Sequence, residues 1–163
     1  MLAAVPSSPR PSSTPDALPD APPDSDGDTL YDLLWQVTAY THLMAESALA
    51  DTPLTVASSS MLISVLREPG ITVAEFARRI PKTQQTLSQV VARLEKLGFI
   101  ERRLGSGRGV GLHLTDAGQE MARHALARDR EITARLDELL GEERSAALVT
   151  LLAESRAILR DDR

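Results

Sequence analysis

The stretch Ile71–Thr115 constrains this chain most, because it carries two helix starts on either side of a proline. Thr72 stands three residues before Glu75. That is the spacing of a capping box, in which hydroxyl and carboxylate each satisfy an amide left without a partner at a helix start. A short helix is predicted from there, with Val73, Phe76, Ala77 and Ile80 on one face. Pro81 interrupts it, since proline donates no amide hydrogen bond and disfavours helical geometry at the residue before it. Thr83 caps a second helix whose apolar residues, Leu87, Val90, Val91, Leu94 and Leu97, fall on one helical stripe. Two helices joined by so short a turn make a helix-turn-helix.

The second helix shows solvent an uncharged face. Gln84, Gln85, Thr86, Ser88 and Gln89 all both donate and accept hydrogen bonds, where an ordinary solvated helix carries more Glu and Lys. Beyond it, Gly98–Leu104 reads as a strand, Gly105-Ser106-Gly107-Arg108-Gly109 as a tight tip, and Val110–Leu114 as a return strand with apolar residues at period two. The expected fold is mainly α with a small β-hairpin wing: a winged helix-turn-helix with further helices at both ends.

The net charge of −5 runs against nucleic-acid binding until it is divided along the chain. Residues 53–115 hold nine bases and four acids, an excess of +5, while residues 1–28, 29–52 and 116–163 come to −4, −3 and −3. All the positive excess therefore sits in the winged-helix segment, which is the asymmetry a polyanion feels.

Residues 1–27 contain seven of the ten prolines, set among Ser, Ala and Asp. Such a composition buries too little apolar surface to order itself, so a disordered arm is expected there, with residues 28–163 as a single domain. A long helix is predicted from Leu30 to about Leu49, with Leu30, Leu33, Leu34, Val37, Thr41, Met44 and Ala48 as its apolar stripe. Trp35, Thr38 and His42 lie along another face and are the candidate lining of a ligand pocket; the alternative packs Trp35 into a subunit interface, since aromatics dominate buried contacts. Thr55 caps a helix to about Arg67, in which Ser58-Ser59-Ser60 fits either close packing or a cavity. Thr115 caps a helix to Leu140, Gly141 breaks it, and a last helix carries Leu148, Leu151, Leu152, Ile158 and Leu159. The lobe at 53–115 leaves the flanking helices at 28–50 and 116–163 without an apolar partner. They are expected to pack on a second copy, with Leu30, Leu33, Leu34, Leu148, Leu151, Leu152, Ile158 and Leu159 in a two-fold homodimer interface.

At this point a family is recognisable. Leu54-Thr55 opening a helix, the Ile71–Ile80 segment, Gln85-Thr86-Leu87-Ser88-Gln89-Val90-Val91 through Arg93-Leu94-Glu95, Gly98-Phe99-Ile100-Glu101-Arg102, and Leu114-Thr115-Asp116-Ala117-Gly118 together resemble the MarR family of bacterial transcriptional regulators. The resemblance covers about residues 29–160. It implies a homodimeric repressor on a pseudo-palindromic DNA duplex, released by a small, often anionic aromatic ligand. Thr86, Ser88 and Gln89 match the family's recognition-helix positions in the major groove, and Arg108 matches a wing-tip arginine that enters the minor groove. Ser106 stands where the family often has aspartate, Lys82 where an apolar residue is usual, and Gln89 where arginine is common. The expected DNA-contacting set is Thr83, Gln84, Gln85, Thr86, Ser88, Gln89, Arg93, Arg103 and Arg108. Gln85 and Gln89 point to adenine, whose N6 and N7 a glutamine amide pairs with; Arg108 suits a narrow A·T-rich minor groove. Arg78, Arg79, Lys82 and Arg102 join Arg93 and Arg103 as candidates for phosphate contact.

Catalysis is not expected. There is no cysteine, no phosphate-binding glycine loop before a helix and no His-Glu-x-x-His spacing, and His42, His113 and His124 are too dispersed to hold a metal. No cofactor is implied. The remaining rival is a winged helix used only for docking proteins, which the local positive excess and the Gln/Thr/Ser face oppose, because such a face shows aromatics and leucines. No apolar run approaches the ~20 residues of a membrane span, and Met1–Val5 lacks the basic start of a secretory signal, so a cytoplasmic location is expected.

Overall fold

Six helices and one hairpin follow each other in chain order in the computed structural model, which describes residues 29–80, 82–104 and 109–161. The expected arm at 1–27 lies outside the described residues. Helix α1 spans Leu30–Ala48, α2 Val56–Arg67, α3 Val73–Ala77 and α4 Gln84–Lys96; strands β1 (Ile100–Leu104) and β2 (Val110–Leu114) form the wing; α5 spans Asp116–Leu140 and α6 Glu142–Asp161.

Threonine sets the start of the first five helices. Thr29, Thr55, Thr72, Thr83 and Thr115 each sit in extended backbone, and each hydroxyl accepts a hydrogen bond from the amide three residues on. Each such cap stabilises its helix by about 1 kcal/mol. At Thr72 the capping box is complete: the Glu75 carboxylate accepts from the Thr72 amide at 2.8 Å while the Thr72 hydroxyl accepts from the Glu75 amide at 3.1 Å. This fixes α3 although it is only five residues long.

The core lies between α2, α4, the wing and the first half of α5. Met61, Leu62, Val65, Val91, Leu94 and Leu112 are wholly buried there, with Phe76, Leu87 and Ile100 beside them. Each such side chain contributes about 1.5–3 kcal/mol relative to exposure. Ser58 and Ser59 are buried too, the first accepting a hydrogen bond from the Thr55 hydroxyl.

The hairpin is tied to the rest at its return strand. Gly70 donates its amide to the Leu112 carbonyl at 2.8 Å, and Leu112 donates to the Ile71 carbonyl at 3.0 Å, so the segment before α3 is bonded to β2 of the two-stranded hairpin. Position 111 must be glycine for this approach, because a Cβ there would stand 2.7 Å from the Gly70 carbonyl oxygen. At the other end, the Thr115 hydroxyl donates to the Gly98 carbonyl at 2.6 Å, clamping the start of α5 onto the turn that leads into β1. Wing and α5 are thus rigidly joined to the helix-turn-helix.

Three expectations need correction. Leu97 was placed on the buried stripe of α4, but that helix ends at Lys96 and Leu97, as its C-terminal cap, is exposed. The first strand starts at Ile100 rather than at Gly98, because Gly98 and Phe99 bend back to bond Glu95 and Leu94 carbonyls. The apolar stripe of α1 is not open along its whole length: Thr41, Met44 and Ala48 are half-buried in their own chain, while Leu30, Leu33, Leu34 and Val37 turn to solvent as the expected interface requires.

Candidate nucleic-acid interface

Helix α4 presents its uncharged face as the sequence spacing requires. Leu87, Val90, Val91 and Leu94 point into the core, so Gln85, Gln89, Ala92 and Lys96 form the line opposite them. Thr83 caps the helix, its Oγ1 accepting from the Thr86 amide at 3.2 Å and lying 2.9 Å from the Thr86 hydroxyl. The Ser88 hydroxyl donates back to the Gln84 carbonyl at 2.8 Å. The Ser88 hydroxyl thus spends its donor within the helix, and the Thr83 and Thr86 hydroxyls share one hydrogen bond between them. The amides of Gln84, Gln85 and Gln89 are exposed and, among the described residues, have no protein partner, which leaves them to outside ligands. Lys96, on the same line as Gln89, was missed by the sequence reading; continuing the spacing of the exposed face by two turns finds it. Arg108 lies outside the described residues.

The electrostatics of the lobe are more ordered than its net charge suggests. All four acids of residues 53–115 have local partners. Glu68 pairs with Arg79, Glu95 accepts from Arg102 Nε at 2.9 Å, Glu101 pairs with Arg103, and Glu75 serves the capping box. The hydrogen bond from Arg79 holds the Glu68 carboxyl below the usual carboxylate range, and the bonds from the Thr72 amide and hydroxyl do the same for Glu75. Three of the four acids are thus paired to arginines, and Glu75 is engaged at the start of α3. The phosphate candidates divide accordingly: Arg79, Arg102 and Arg103 each carry a carboxylate partner, whereas Arg78 and Lys96 are exposed cations outside those pairs. Arg93 donates from Nη2 to the Pro53 carbonyl oxygen at 2.9 Å. The Arg102–Glu95 pair also ties β1 to α4, so wing and helix are held as one surface.

Trp35, Thr38 and His42, expected around a ligand, are not among the residues lining the hollow between α1, α2 and α5. The Thr38 hydroxyl donates to the Leu34 carbonyl at 2.7 Å, and His42 lies 3.5 Å from Glu46 one turn on. The hollow present between α1, α2 and α5 is lined instead by residues such as Ala45, Leu49, Ser59, Ser60, Ile63 and Arg128, and measures about 60 Å³. Binding pockets for drug-sized molecules run to about 300 Å³ and above. In this conformation it has room for a few waters only. No group of His, Asp or Glu among the described residues is arranged to hold a metal ion, and no helix there is long and apolar enough to cross a membrane.

The apolar residues expected in an interface all lie open. Leu30, Leu33 and Leu34 on α1 and Leu148, Leu151, Leu152, Ile158 and Leu159 on α6 are exposed, Leu30 at 76 % and Ile158 at 70 %. Tyr31, Tyr40 and Leu43 extend the α1 face and Val149 the α6 face. None of these four was in the expected set.

Known proteins show the same design. A MarR family model matches residues 52–109, the span from the α1–α2 turn to the end of the wing tip. The helix-turn-helix transcriptional repressor Rv2887 of Mycobacterium tuberculosis is 32% identical over 106 residues, covering 64% of this chain and 76% of that protein. The crystal structure of this M. tuberculosis MarR family protein in complex with salicylic acid superposes with a TM-score of 0.64 at 29% identity, over 79% of this chain and 97% of that one. Apo MarR from E. coli, at 22% identity, shares the fold with a TM-score of 0.67 over 80% and 98% of the two chains. With the winged helix, its acid-free polar face and a relative of this identity over three quarters of that relative's length, the chain belongs to the MarR family of DNA-binding transcriptional regulators, which are not enzymes.

Proposed function

We propose that this protein is a homodimeric repressor that holds a pseudo-palindromic duplex through α4 of each protomer. The observation that carries the reading is the α4 face itself: three glutamine amides with no protein partner among the described residues, on a capped and braced helix, with Glu68, Glu95 and Glu101 paired to arginines. In this arrangement Gln85 and Gln89 read base edges in the major groove, with Thr83, Gln84, Thr86 and Ser88 around them, and a glutamine amide favours adenine. The wing, with Arg103 and the tip residue Arg108, lies along the flanking minor groove, and Arg78 and Lys96 contribute phosphate contacts that position without specifying.

The two-fold rests on helices at 28–50 and 116–163. Leucine-rich faces on α1 and α6, left open by a single chain, are large enough to mark an interface, and a second copy places two α4 helices on one face of the duplex. The lobe at 53–115 is the DNA-binding unit of a single domain, and the protein works in the cytoplasm, where its operator is.

Repression is released by a small molecule, for which an anionic aromatic is the leading class, since the M. tuberculosis relative is held in a complex with salicylic acid. The seat lies along α1, near Trp35, Thr38 and His42, where a partner's α1 and wing complete the walls. The hollow beside Arg128 is an unfavourable site for a carboxylate, because Asp51, Asp129 and Glu131 already surround that guanidinium.

Selection of bound sequences from a random duplex pool, repeated with salicylate present, tests both parts. We expect enrichment of two inverted half-sites about one helical turn apart, each holding adenine, and weaker recovery with the aromatic acid. Recovery of unrelated sequences, or of a lone half-site, refutes the dimeric readout; recovery unaffected by a panel of aromatic acids refutes the effector class alone.

A further inference from the structure

The turn at 49–54, between α1 and α2, stands where two long-range arginine contacts meet. From α5, Arg128 donates from Nη2 to Asp51 Oδ2 at 3.1 Å, with its Nη1 on Glu131 at 3.0 Å. From α4, Arg93 donates from Nη2 to the Pro53 carbonyl oxygen at 2.9 Å. The partners are 77 and 40 residues apart in sequence, so neither bond is a by-product of local helix geometry.

The turn between them is stiff. Thr52 donates to the Leu49 carbonyl through both its amide, at 2.9 Å, and its hydroxyl, at 2.8 Å, and the Leu54 amide donates to the Thr52 hydroxyl at 3.2 Å. Leu49 and Leu54, at its two ends, are buried in the core. A segment pinned at both ends and bonded within itself moves as a block, carrying Asp51 and Pro53 together.

We propose that this turn is a strut between α5 and the recognition helix, and that Arg93 is a positioning residue acting through Pro53 rather than a contact to DNA. That bond takes one of the five N–H donors of the guanidinium and fixes its direction toward the turn. Helix α5 continues past Gly141 into α6 and its open leucine face. A shift of α5 against its surroundings is thereby delivered through Arg128, Asp51, Pro53 and Arg93 to the middle of α4. The inference rests on α4 being the helix that reads DNA, but half of its test needs no DNA.

The decisive variants are Arg93→Met, which keeps the apolar stem and loses the donors, and Asp51→Ala, which removes the acceptor at the other end of the strut, at a residue outside the expected DNA-contacting set. Amide hydrogen exchange on the DNA-free protein should show faster exchange over residues 87–94 in both variants. Titrations on the selected duplex at several salt concentrations should show affinity lowered by about fivefold, the scale of one exposed charge-assisted hydrogen bond, with the slope of log affinity against log salt unchanged. If Arg93→Met instead lowers that slope by about one per subunit while exchange stays as in the parent, Arg93 holds a phosphate and the proposal is overturned. Unchanged exchange in Asp51→Ala overturns it equally, and decides the matter if Arg93→Met fails to fold. A parent protein with no sequence preference would refute the DNA reading alone, leaving the exchange result to judge the strut.

Discussion

The winged-helix half and the pair α1 and α6 are built from similar residues and treat them in opposite ways. Between residues 54 and 125 almost every large apolar side chain of a helix or strand finds a partner in its own chain, down to wholly buried Met61, Val91, Leu94 and Leu112. Helix α6 buries none of its residues, and α1 buries one, the acid Asp32. The first half is complete in a single chain. The second has leucines that lie open among the described residues, as the proposed dimer interface requires. Under that proposal, stability in one region is a matter of packing within the chain, and in the other of concentration.

The strongest way to break this contrast is to charge the open face. Leu151→Glu with Leu152→Glu should give a monomer by light scattering while the winged half keeps its helical and near-ultraviolet signals. Linking two reading helices raises affinity by about 10²–10⁴ over one, and this much should be lost on the selected duplex. A variant that still scatters as a dimer at micromolar concentration would place the seam elsewhere.

Next in size is a cavity in the closed half. Leu94 is fully buried under the recognition helix, so Leu94→Ala should cost about 2–5 kcal/mol in urea unfolding, with a midpoint shift present equally in the monomeric double variant. A cost under about 1 kcal/mol would mean that α4 is loosely seated and that the closed half is not closed.

How much of this could be read from the residues follows the same division. Helix starts were legible because a threonine cap and its amide are three residues apart, and Thr55, Thr72, Thr83 and Thr115 obey that local rule. The stripe Leu87, Val90, Val91 and Leu94 was legible from its period, and failed only at Leu97, where the helix had ended and the period no longer applied. The pairing of Arg79 with Glu68, Arg102 with Glu95 and Arg93 with Pro53 was not legible, since each depends on how separate elements come to rest. That is why a uniform +5 lobe in the sequence becomes, in the structure, a set of braced arginines around a few outward cations. The half-burial of Thr41, Met44 and Ala48 was not legible for a related reason, since it depends on where α1 comes to rest against its own chain.

A smaller effect separates reading from holding within the closed half. Gln89 is exposed on the line opposite the buried stripe, so Gln89→Ala should leave the urea midpoint nearly unmoved and cost about 1–3 kcal/mol per half-site on the selected duplex. On a scrambled duplex the loss should be much less. Equal losses on both duplexes would put Gln89 on the backbone and turn α4 differently in the groove.

The smallest effect concerns the capping box, and its sign follows from the direction of one shift. The Glu75 carboxyl is held below its ordinary value first by the hydrogen bond from the Thr72 amide and then by the one from the Thr72 hydroxyl. A lowered value in the folded state means that the ionised form favours folding. The contribution is therefore present above the unfolded value, about 4.3, and is lost as pH falls from there through the folded one. Glu75→Gln keeps an acceptor for the Thr72 amide but cannot ionise, so parent and variant should differ in urea stability at neutral pH and converge as the pH approaches 3. Measured in the monomeric background, the comparison is free of the dimer seam and of its own pH dependence. Glu68 is shifted first by its hydrogen bond from Arg79, which both proteins keep, and only least by the Glu75 charge that the variant removes, so most of its contribution is common to the two. A gap between the two that stayed constant from pH 7 to pH 3 would show that the carboxylate's charge contributes nothing to the start of α3, and that the closed half owes that turn to the Thr72 hydroxyl alone.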